Sequence, residues 1–304
     1  MPRLLLTGLS GFLGWNIARL APAGWSVVGT VRTRSCEVPG VESRRIDLCD
    51  VAAVEELFAE AAPDAVLHAA ARTDPNYCQE HRAEAWRHNV EVSSALAALC
   101  AQREIPMVYT STDLVFGGDQ TQKTEGRVFG GQAPYTERDP LRPVNVYGAS
   151  KAAGEKQIQA LYSGACICRM PLMFGPTHPQ AMSFIQPMLQ EAQRGGTLSL
   201  FTDEYRTPTS ARAAVQGLFL ALEKGAGEVL HLGGDERISR CDFGHLLLRI
   251  FALPASTIIP CLQKDVPMAA PRAGDVSLDN SKAKALGYEP WSLLDELEQL
   301  RSEW

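Results

Sequence analysis

Short hydrophobic runs alternate with longer amphipathic segments along most of the chain. In the first 170 residues the runs predict strands, and the segments between them carry apolar residues at helical spacing. Four of the predicted strands are each followed by a helical segment. The pattern therefore predicts an α/β fold with a doubly wound parallel sheet. The predicted strands are residues 4–6, 26–31, 64–71, 106–109 and 165–169.

A glycine-rich turn follows the first strand. Its glycines have the spacing G-x-x-G-x-x-G between the strand and a helical segment. In such a turn one glycine permits the bend, one lets the backbone approach a pyrophosphate, and one lets the helix pack on the strand. The free N–H groups at the helix N-terminus favour phosphate. The context predicts a Rossmann-type dinucleotide-binding fold, with contacts from Gly8, Ser10, Gly11, Phe12, Leu13 and Gly14.

The second half of the chain alternates between helix and strand as well, but without a second glycine fingerprint. We expect residues 1–170 to form the NAD(P)-binding domain, with a return of the chain to it around 202–235. Residues 171–304 are expected to form mainly a smaller C-terminal α/β domain that binds the substrate. The predicted helices there are 184–194, 211–222, 243–251 and 293–301, the strands 198–201 and 228–232, and the loops 202–209 and 264–279.

Arg32 directly follows the second strand, at the place that selects between two cofactors. An acidic residue there accepts from the ribose 2′-hydroxyl of NAD, whereas an arginine accommodates the 2′-phosphate of NADP. We therefore expect NADP(H) as the preferred cofactor and NAD(H) as the alternative. A plain surface role for Arg32 is the competing interpretation. Asp47 and Leu48 are expected at the adenine, where Asp47 either accepts from the amino group or is a solvated loop residue.

Small residues and hydroxyls end the third and fourth strands. Three alanines would let a flat dinucleotide approach the backbone. Ligands of open parallel sheets lie outside the carboxyl ends of the strands, so the hydroxyls there are placed for chemistry. His68 lies within an apolar run and is interpreted as a core residue. The expected cofactor contacts are Ala69, Ala70, Ala71 and Thr110, and the expected substrate contacts are Thr112 and Asp113.

Tyr147 and Lys151 are four residues apart at the start of a predicted helix. Residues at this spacing share one helical face, so the ammonium of Lys151 can lie beside the phenol of Tyr147. A nearby positive charge favours phenolate, so we expect Lys151 to lower the pKa of Tyr147 toward neutral pH. An exposed surface pair is the alternative, but the convergence of this helix, the glycine turn and Thr112 on one crevice favours catalysis.

Two features of the predicted substrate side are less regular. Residues 115–118 and 128–131 have the same sequence, Val-Phe-Gly-Gly. The polar segment between them is interpreted as a local duplication or insertion at the rim of the crevice, which is either a lid or disordered. Arg206 and Arg272 lie in the predicted loops, where guanidinium groups can clamp a diphosphate bidentately. Ordinary surface arginines are the alternative for both.

Composition narrows the class of protein. A net charge of −6 and a pI near 5.6 argue against nucleic-acid or membrane-surface partners, and no apolar run approaches the length of a membrane span. The first residues are too weakly apolar for a signal peptide, so a cytoplasmic protein is expected. Eight cysteines lack paired metal spacing; they are expected to be reduced, with no metal site. Cys166 and Cys168 are expected on opposite faces of a strand.

The motifs resemble those of the extended short-chain dehydrogenase/reductase family. Gly8-x-x-Gly11-x-x-Gly14 and Tyr147-x-x-x-Lys151 are its two signatures, and the resemblance covers nearly the whole chain. Residues 111–116, 145–151 and 206–209 look like those of dTDP-4-dehydrorhamnose reductases and their relatives. The segment 271–276 looks like the one with which related epimerases and dehydratases hold diphosphate. Arg206 departs from the glycine typical of the rhamnose-pathway reductases.

The resemblance implies a reductase of a nucleotide-linked keto sugar. It implies that Thr112, Tyr147 and Lys151 are the catalytic triad, that Tyr147 and Lys151 also contact the cofactor, and that Lys151 bonds the nicotinamide ribose. Asn89 matches a structural or relay asparagine of the family and is expected to contact the cofactor as well, and a homodimer is expected. A sugar-nucleotide epimerase or dehydratase is one alternative, although Asp113 has no adjacent glutamate. A non-catalytic NADP-binding subunit, similar to the regulatory beta subunit of methionine adenosyltransferase, is the other.

Overall fold

Seven parallel strands form the sheet around which the described residues are arranged. The structure is a computed structural model, and it describes residues 1–118, 123–124, 127–128, 133–179, 181–254 and 257–304. Most of the predicted insertion at 119–131 lies outside these ranges. The sheet strands are β1 (Arg3–Thr7), β2 (Ser26–Val31), β3 (Glu42–Arg45), β4 (Ala65–His68), β5 (Met107–Thr112), β8 (Cys166–Met170) and β13 (Val229–His231).

The strand order is β13-β8-β5-β4-β1-β2-β3, and every neighbouring pair is parallel. The chain runs from β1 outward to β3 and then crosses to β4, so the topological switch point lies between β1 and β4. Ligands of doubly wound sheets bind at this point, outside the carboxyl ends of the strands. The predicted doubly wound sheet is confirmed. The edge strand β3 was not predicted.

Helices cover both faces of the sheet, because alternate strand residues face opposite sides. Leu4, Leu6 and Leu67 pack with α1 and α8 on one face, whereas Leu5 and Val66 pack with α2 and α5 on the other. The described helices are α1 (Phe12–Leu20), α2 (Val51–Ala61), α3 (Pro75–Glu80), α4 (Arg82–Trp86), α5 (Val92–Gln102), α6 (Val146–Leu161), α7 (Ile185–Gln193), α8 (Ala211–Lys224), α9 (Arg240–Ile250), α10 (Ser281–Leu286) and α11 (Leu293–Glu303).

The C-terminal half has its own apolar cluster, to which α7, α9 and α11 contribute. Short strand pairs lie in this half and at the rim of the sheet. They comprise β6 (Lys123–Thr124) with β7 (Arg127–Val128), β9 (Met173–Phe174) with β12 (Thr209–Ser210), β10 (Leu198–Phe201) with β15 (Ile258–Cys261), and β11 (Tyr205–Arg206) with β14 (Ile238–Ser239). Of the helices that the structure describes, none is long and apolar enough to cross a membrane.

The predicted orientation of two cysteines differs from the one in the structure. All eight are free thiols. The Sγ atoms of Cys166 and Cys168 lie 3.9 Å apart within one apolar cluster, so the prediction of opposite faces is wrong. Residues two apart in a strand share a face; only immediate neighbours point to opposite sides.

Candidate active site

A cleft of about 710 Å³ opens at the carboxyl ends of the sheet strands. It runs from the glycine turn and Arg32 at one end to Asp113, Arg206 and Arg272 at the other. With the exception of Asn89, every residue predicted to contact cofactor or substrate lines it. Those residues are Gly8, Ser10, Gly11, Phe12, Leu13, Gly14, Arg32, Asp47, Leu48, Ala69, Ala70, Ala71, Thr110, Thr112, Asp113, Tyr147, Lys151, Arg206 and Arg272.

The glycine turn has the shape that a dinucleotide pyrophosphate requires. Gly8 has a φ of +83°, and a Cβ there would lie 2.8 Å from the backbone N of Ala70. A Cβ on Gly14 would lie 2.1 Å from the carbonyl oxygen of Gly8. Gly11 is the N-cap of α1 and lines the cleft, and it has no side chain to cap the free N–H groups of the helix N-terminus. These residues fit a bound nicotinamide dinucleotide.

Arg32 and Asp47 line the end of the cleft where the adenosine is expected. Asp47 is exposed, and its Oδ1 accepts from the backbone N–H of Cys49 at 3.0 Å. This hydrogen bond lowers the pKa of Asp47, so the carboxylate is ionised at neutral pH. His88 also lines this end and contacts Arg32. Sequence reasoning missed His88, because it lies on a helical segment that carries no motif.

His68 is a buried structural residue, as its place in the apolar run indicated. Its Nδ1 lies 2.6 Å from Oγ1 of Thr7, and its Nε2 lies 2.9 Å from Oγ of Ser93. Burial lowers the pKa of His68 to about 3, so the ring is neutral. Oγ1 of Thr7 also accepts from the backbone N–H of Ala70 at 3.2 Å. The histidine thus holds β1 and the alanine segment in register beside the cleft.

Asn89 lies behind the cleft and does not line it. It occupies a single π-helical turn, Arg87–Glu91, and is fully buried. Its side chain accepts from the backbone N–H of Arg72 at 2.8 Å and donates to the carbonyl oxygen of Arg72 at 3.0 Å and to Oγ of Ser150 at 2.9 Å. These bonds tie the segment after Ala71 to α6. The geometry is that of a structural residue, which differs from the expected cofactor contact.

Tyr147 sits in the first turn of α6, beside Thr112. The helix starts at the N-cap Asn145, whose Oδ1 accepts from the N–H of Gly148 at 2.9 Å. Burial raises the pKa of Tyr147, and a hydrogen bond with the Thr112 hydroxyl opposes that rise. The expectation of a lowered pKa is therefore wrong for this structure. Desolvation of the phenolate outweighs the stabilising contacts.

Lys151 is buried, and its ammonium packs against a second tyrosine, Tyr109. Its Nζ lies 3.9 Å from the centroid of the Tyr109 ring, a cation–π contact. Burial lowers the pKa of Lys151 to about 7, and the charge of Glu155 opposes this shift. Glu155 is itself held by Arg169, through contacts of 2.8 to 3.2 Å, and by Oγ of Ser111 at 2.5 Å.

The end of the cleft where the substrate is expected holds a cluster of buried and half-buried charges. Arg206 is in β11 and buried, so the prediction of a loop arginine is wrong. Its Nε lies 3.5 Å from Oδ2 of Asp113, and its Nη2 donates to Oε1 of Glu204 at 3.3 Å. Arg240 and Arg272 lie 4.0 and 3.9 Å from the Glu204 carboxylate. Burial raises the pKa of Asp113 to about 6, and Arg206 opposes the rise.

Glu204 and Arg240 were missed by sequence reasoning, because an ion pair across 36 positions leaves no local pattern. Nη1 of Arg206 and Nη1 of Arg240 are buried without a hydrogen-bond partner among the described residues. The described ranges contain no group of three or more His, Cys, Asp or Glu side chains placed to hold a metal ion.

The chain is similar to known proteins over most of its length. The chain matches the RmlD substrate binding domain family over residues 2–300. It is 29% identical over 304 residues to the probable low-salt glycan biosynthesis reductase Agl14 of Haloferax volcanii, covering 98% of this chain and 96% of the relative. It is 27% identical to methionine adenosyltransferase 2 subunit beta of Rattus norvegicus, with 94% of this chain and 82% of that protein covered.

A solved structure shares the fold over its whole length. The dTDP-4-dehydrorhamnose reductase of Bacillus anthracis str. Ames, in complex with NADP, superposes with a TM-score of 0.85 at 21% identity, and 100% of both chains is covered. The predicted fold and the predicted resemblance are confirmed. The chain therefore belongs to the RmlD substrate binding domain family.

Proposed function

We propose that the protein is a reductase of a nucleotide-linked keto sugar that prefers NADP(H). The observation that carries the proposal is the cleft that joins the glycine turn, the Thr112–Tyr147–Lys151 set and two arginines, Arg206 and Arg272. The reductase Agl14 and the NADP-bound dTDP-4-dehydrorhamnose reductase support the same reaction class. The substrate domain would be the C-terminal half, whose β11 carries Arg206.

Tyr147 is the proton donor in this proposal. When bound, the nicotinamide cofactor supplies the hydride. Because burial raises its pKa, the Tyr147 phenol stays protonated at neutral pH and can donate to the sugar carbonyl oxygen as charge develops there. Thr112 would polarise the same oxygen by turning its hydroxyl proton toward the substrate. Without substrate, its Oγ1 donates that proton to Oδ1 of Asp113 at 3.1 Å and accepts from the N–H of Leu114 at 3.2 Å. Lys151 lies one helical turn beyond the phenol, where its charge would stabilise the phenolate left by proton transfer.

The charged cluster would hold the diphosphate of the substrate. Arg206, Arg240 and Arg272 face two carboxylates, those of Asp113 and Glu204, so the ionised cluster carries one surplus positive charge. Two of the three arginines, Arg206 and Arg272, line the cleft. Nη1 of Arg206 has no hydrogen-bond partner within the described part of the chain. An anionic ligand would supply that partner, and a diphosphate matches the fork of a guanidinium.

The test is a panel of nucleotide-linked 4-keto sugars incubated with NADPH, with loss of the reduced cofactor followed by absorbance. Reduction of at least one sugar, with NADPH used more efficiently than NADH, is the expected result. A protein that binds NADPH but reduces none of the panel would contradict the proposal.

A regulatory subunit is the second candidate, since the beta subunit of methionine adenosyltransferase is a relative over most of this chain. The intact set of Thr112, Tyr147 and Lys151 favours catalysis. Co-purification of a synthetase partner, together with absence of reduction across the panel, would favour the regulatory role. A dehydratase or permanently cofactor-loaded epimerase is disfavoured, because Asp113 is followed by Leu114 where a dehydratase would place a second acid/base carboxylate.

A further inference from the structure

The adenosine end of the cleft contains a contact between Arg32 and His88 that the proposed reaction does not use. Nη1 of Arg32 lies 3.0 Å from Nε2 of His88, and both residues line the cleft. A guanidinium has only donors, so Nε2 must be the acceptor and the histidine must be neutral with its proton on Nδ1. In this hydrogen bond Arg32 therefore donates, and His88 accepts as the neutral tautomer with its proton on Nδ1.

The surroundings of His88 agree with that tautomer. Its Nδ1 lies 3.5 Å from Sγ of Cys49, so a proton on Nδ1 can be donated to the sulfur. Burial lowers the pKa of His88, and the cations of Arg72 and Arg32 add to the shift. Glu84 lies 3.7 Å from Nε2, but its carboxylate also pairs with Arg72 and accepts from the Tyr77 hydroxyl at 2.5 Å. Nε2 is thus available to Arg32.

We infer that His88 is a positioning residue that presents Arg32 to an adenosine 2′-phosphate and so sets the preference for NADP(H) over NAD(H). Arg32 is exposed, and a free arginine side chain loses rotamer entropy when a ligand immobilises it. The bond to His88 uses one of its five N–H groups and holds the remaining four near the end of β2. Part of the rotamer entropy of Arg32 is then lost before the phosphate binds, so binding costs less. The inference rests on the proposed use of NADP(H).

Calorimetric titration of the whole protein with 2′,5′-ADP and with 5′-AMP tests the inference, because the two probes differ only in the 2′-phosphate and need no sugar substrate. His88→Leu should weaken 2′,5′-ADP by about 2- to 12-fold, the loss expected when one side chain is no longer pre-ordered, and leave 5′-AMP unchanged. His88→Gln keeps an acceptor and should restore most of the affinity. His245→Leu, at an exposed histidine of α9, is the matched control.

A double-mutant cycle keeps the inference falsifiable if His88→Leu perturbs the local structure. In the Arg32→Ala background, His88→Leu should have no further effect on 2′,5′-ADP. Additive losses, or equal losses for both probes, would overturn the positioning role. A wild-type protein that binds 2′,5′-ADP no better than 5′-AMP would overturn the NADP(H) preference itself. Failure to find a sugar substrate would leave these affinities unaffected and would count against the proposed reaction alone.

Discussion

Replacing Lys151 by methionine should make the cofactor-free protein more stable at neutral pH. Burial lowers the pKa of Lys151 from 10.5 to about 7. Below pH 7 the folded protein carries the whole cost of a buried ammonium. The difference between 10.5 and about 7, at about 1.36 kcal/mol for each pH unit, corresponds to about 5 kcal/mol. Methionine has a similar length and no charge, so it removes this cost.

The sign of the pH dependence follows from proton linkage. Between about pH 7 and 10.5 the folded state has released the proton of Lys151 and the unfolded state retains it, so wild-type stability rises with pH in this window. Methionine does not titrate. The advantage of Lys151→Met in the free energy of unfolding should therefore shrink, from about 5 kcal/mol at pH 6 to about 2 kcal/mol at pH 9.

Urea denaturation followed by tryptophan fluorescence at both pH values measures this advantage. Lys156→Met, at an exposed lysine on the same helix, is the control and should change stability by less than about 0.5 kcal/mol at either pH. The reasoning is refuted if Lys151→Met is less stable than the wild type at pH 6. It is refuted equally if the difference between the two proteins is the same at pH 6 and pH 9.

Three further substitutions separate binding, chemistry and stability. Gly11→Ala should fold normally, because the nearest atom would lie 3.3 Å from the new Cβ. The methyl group should weaken NADPH binding about 5- to 150-fold in a fluorescence titration. An unchanged affinity would place the pyrophosphate elsewhere. Tyr147→Phe should lower kcat by about 10²- to 10⁴-fold with NADPH affinity retained, and full turnover would remove Tyr147 from the mechanism. Glu155→Gln should lower the free energy of unfolding by about 3–5 kcal/mol, because Arg169 is left buried without its counter-charge. The control is Glu56→Gln, at an exposed glutamate. A loss of stability no larger than that of the control would contradict the prediction.

The glycine turn and the order of strands and helices could be predicted, because each depends on local pattern. Gly8 is required by its own positive φ, Gly14 is required by a contact with Gly8 six positions earlier, and β1, β2 and β4 are mostly apolar. The edge strand β3 could not be predicted. Its four residues, Glu42–Arg45, are all exposed, so hydrophobicity gives no signal, and the strand exists only because β2 offers its backbone.

The electrostatics of the site could not be read from spacing. Tyr147 and Lys151 share a helical face as predicted, yet burial decides both pKa values, and burial depends on what packs around the helix. The same applies to Arg206. A polar stretch of sequence predicted a loop, whereas Asp113, which is 93 positions earlier in the chain, supplies the partner that lets the guanidinium be buried. Such long-range pairs are fixed only by the fold.

The position of β13 at the outer edge of the sheet has a consequence for synthesis on the ribosome. Its neighbour β8 ends at Met170, and β13 begins at Val229, so about sixty residues must be translated before β8 gains its second partner. At about 5–20 residues per second this takes about 3–12 seconds. During that time β8 presents an apolar, unpaired strand edge, which is a template for misassociation with other nascent chains. Chaperone dependence should therefore be greatest for chains that stall between these two strands.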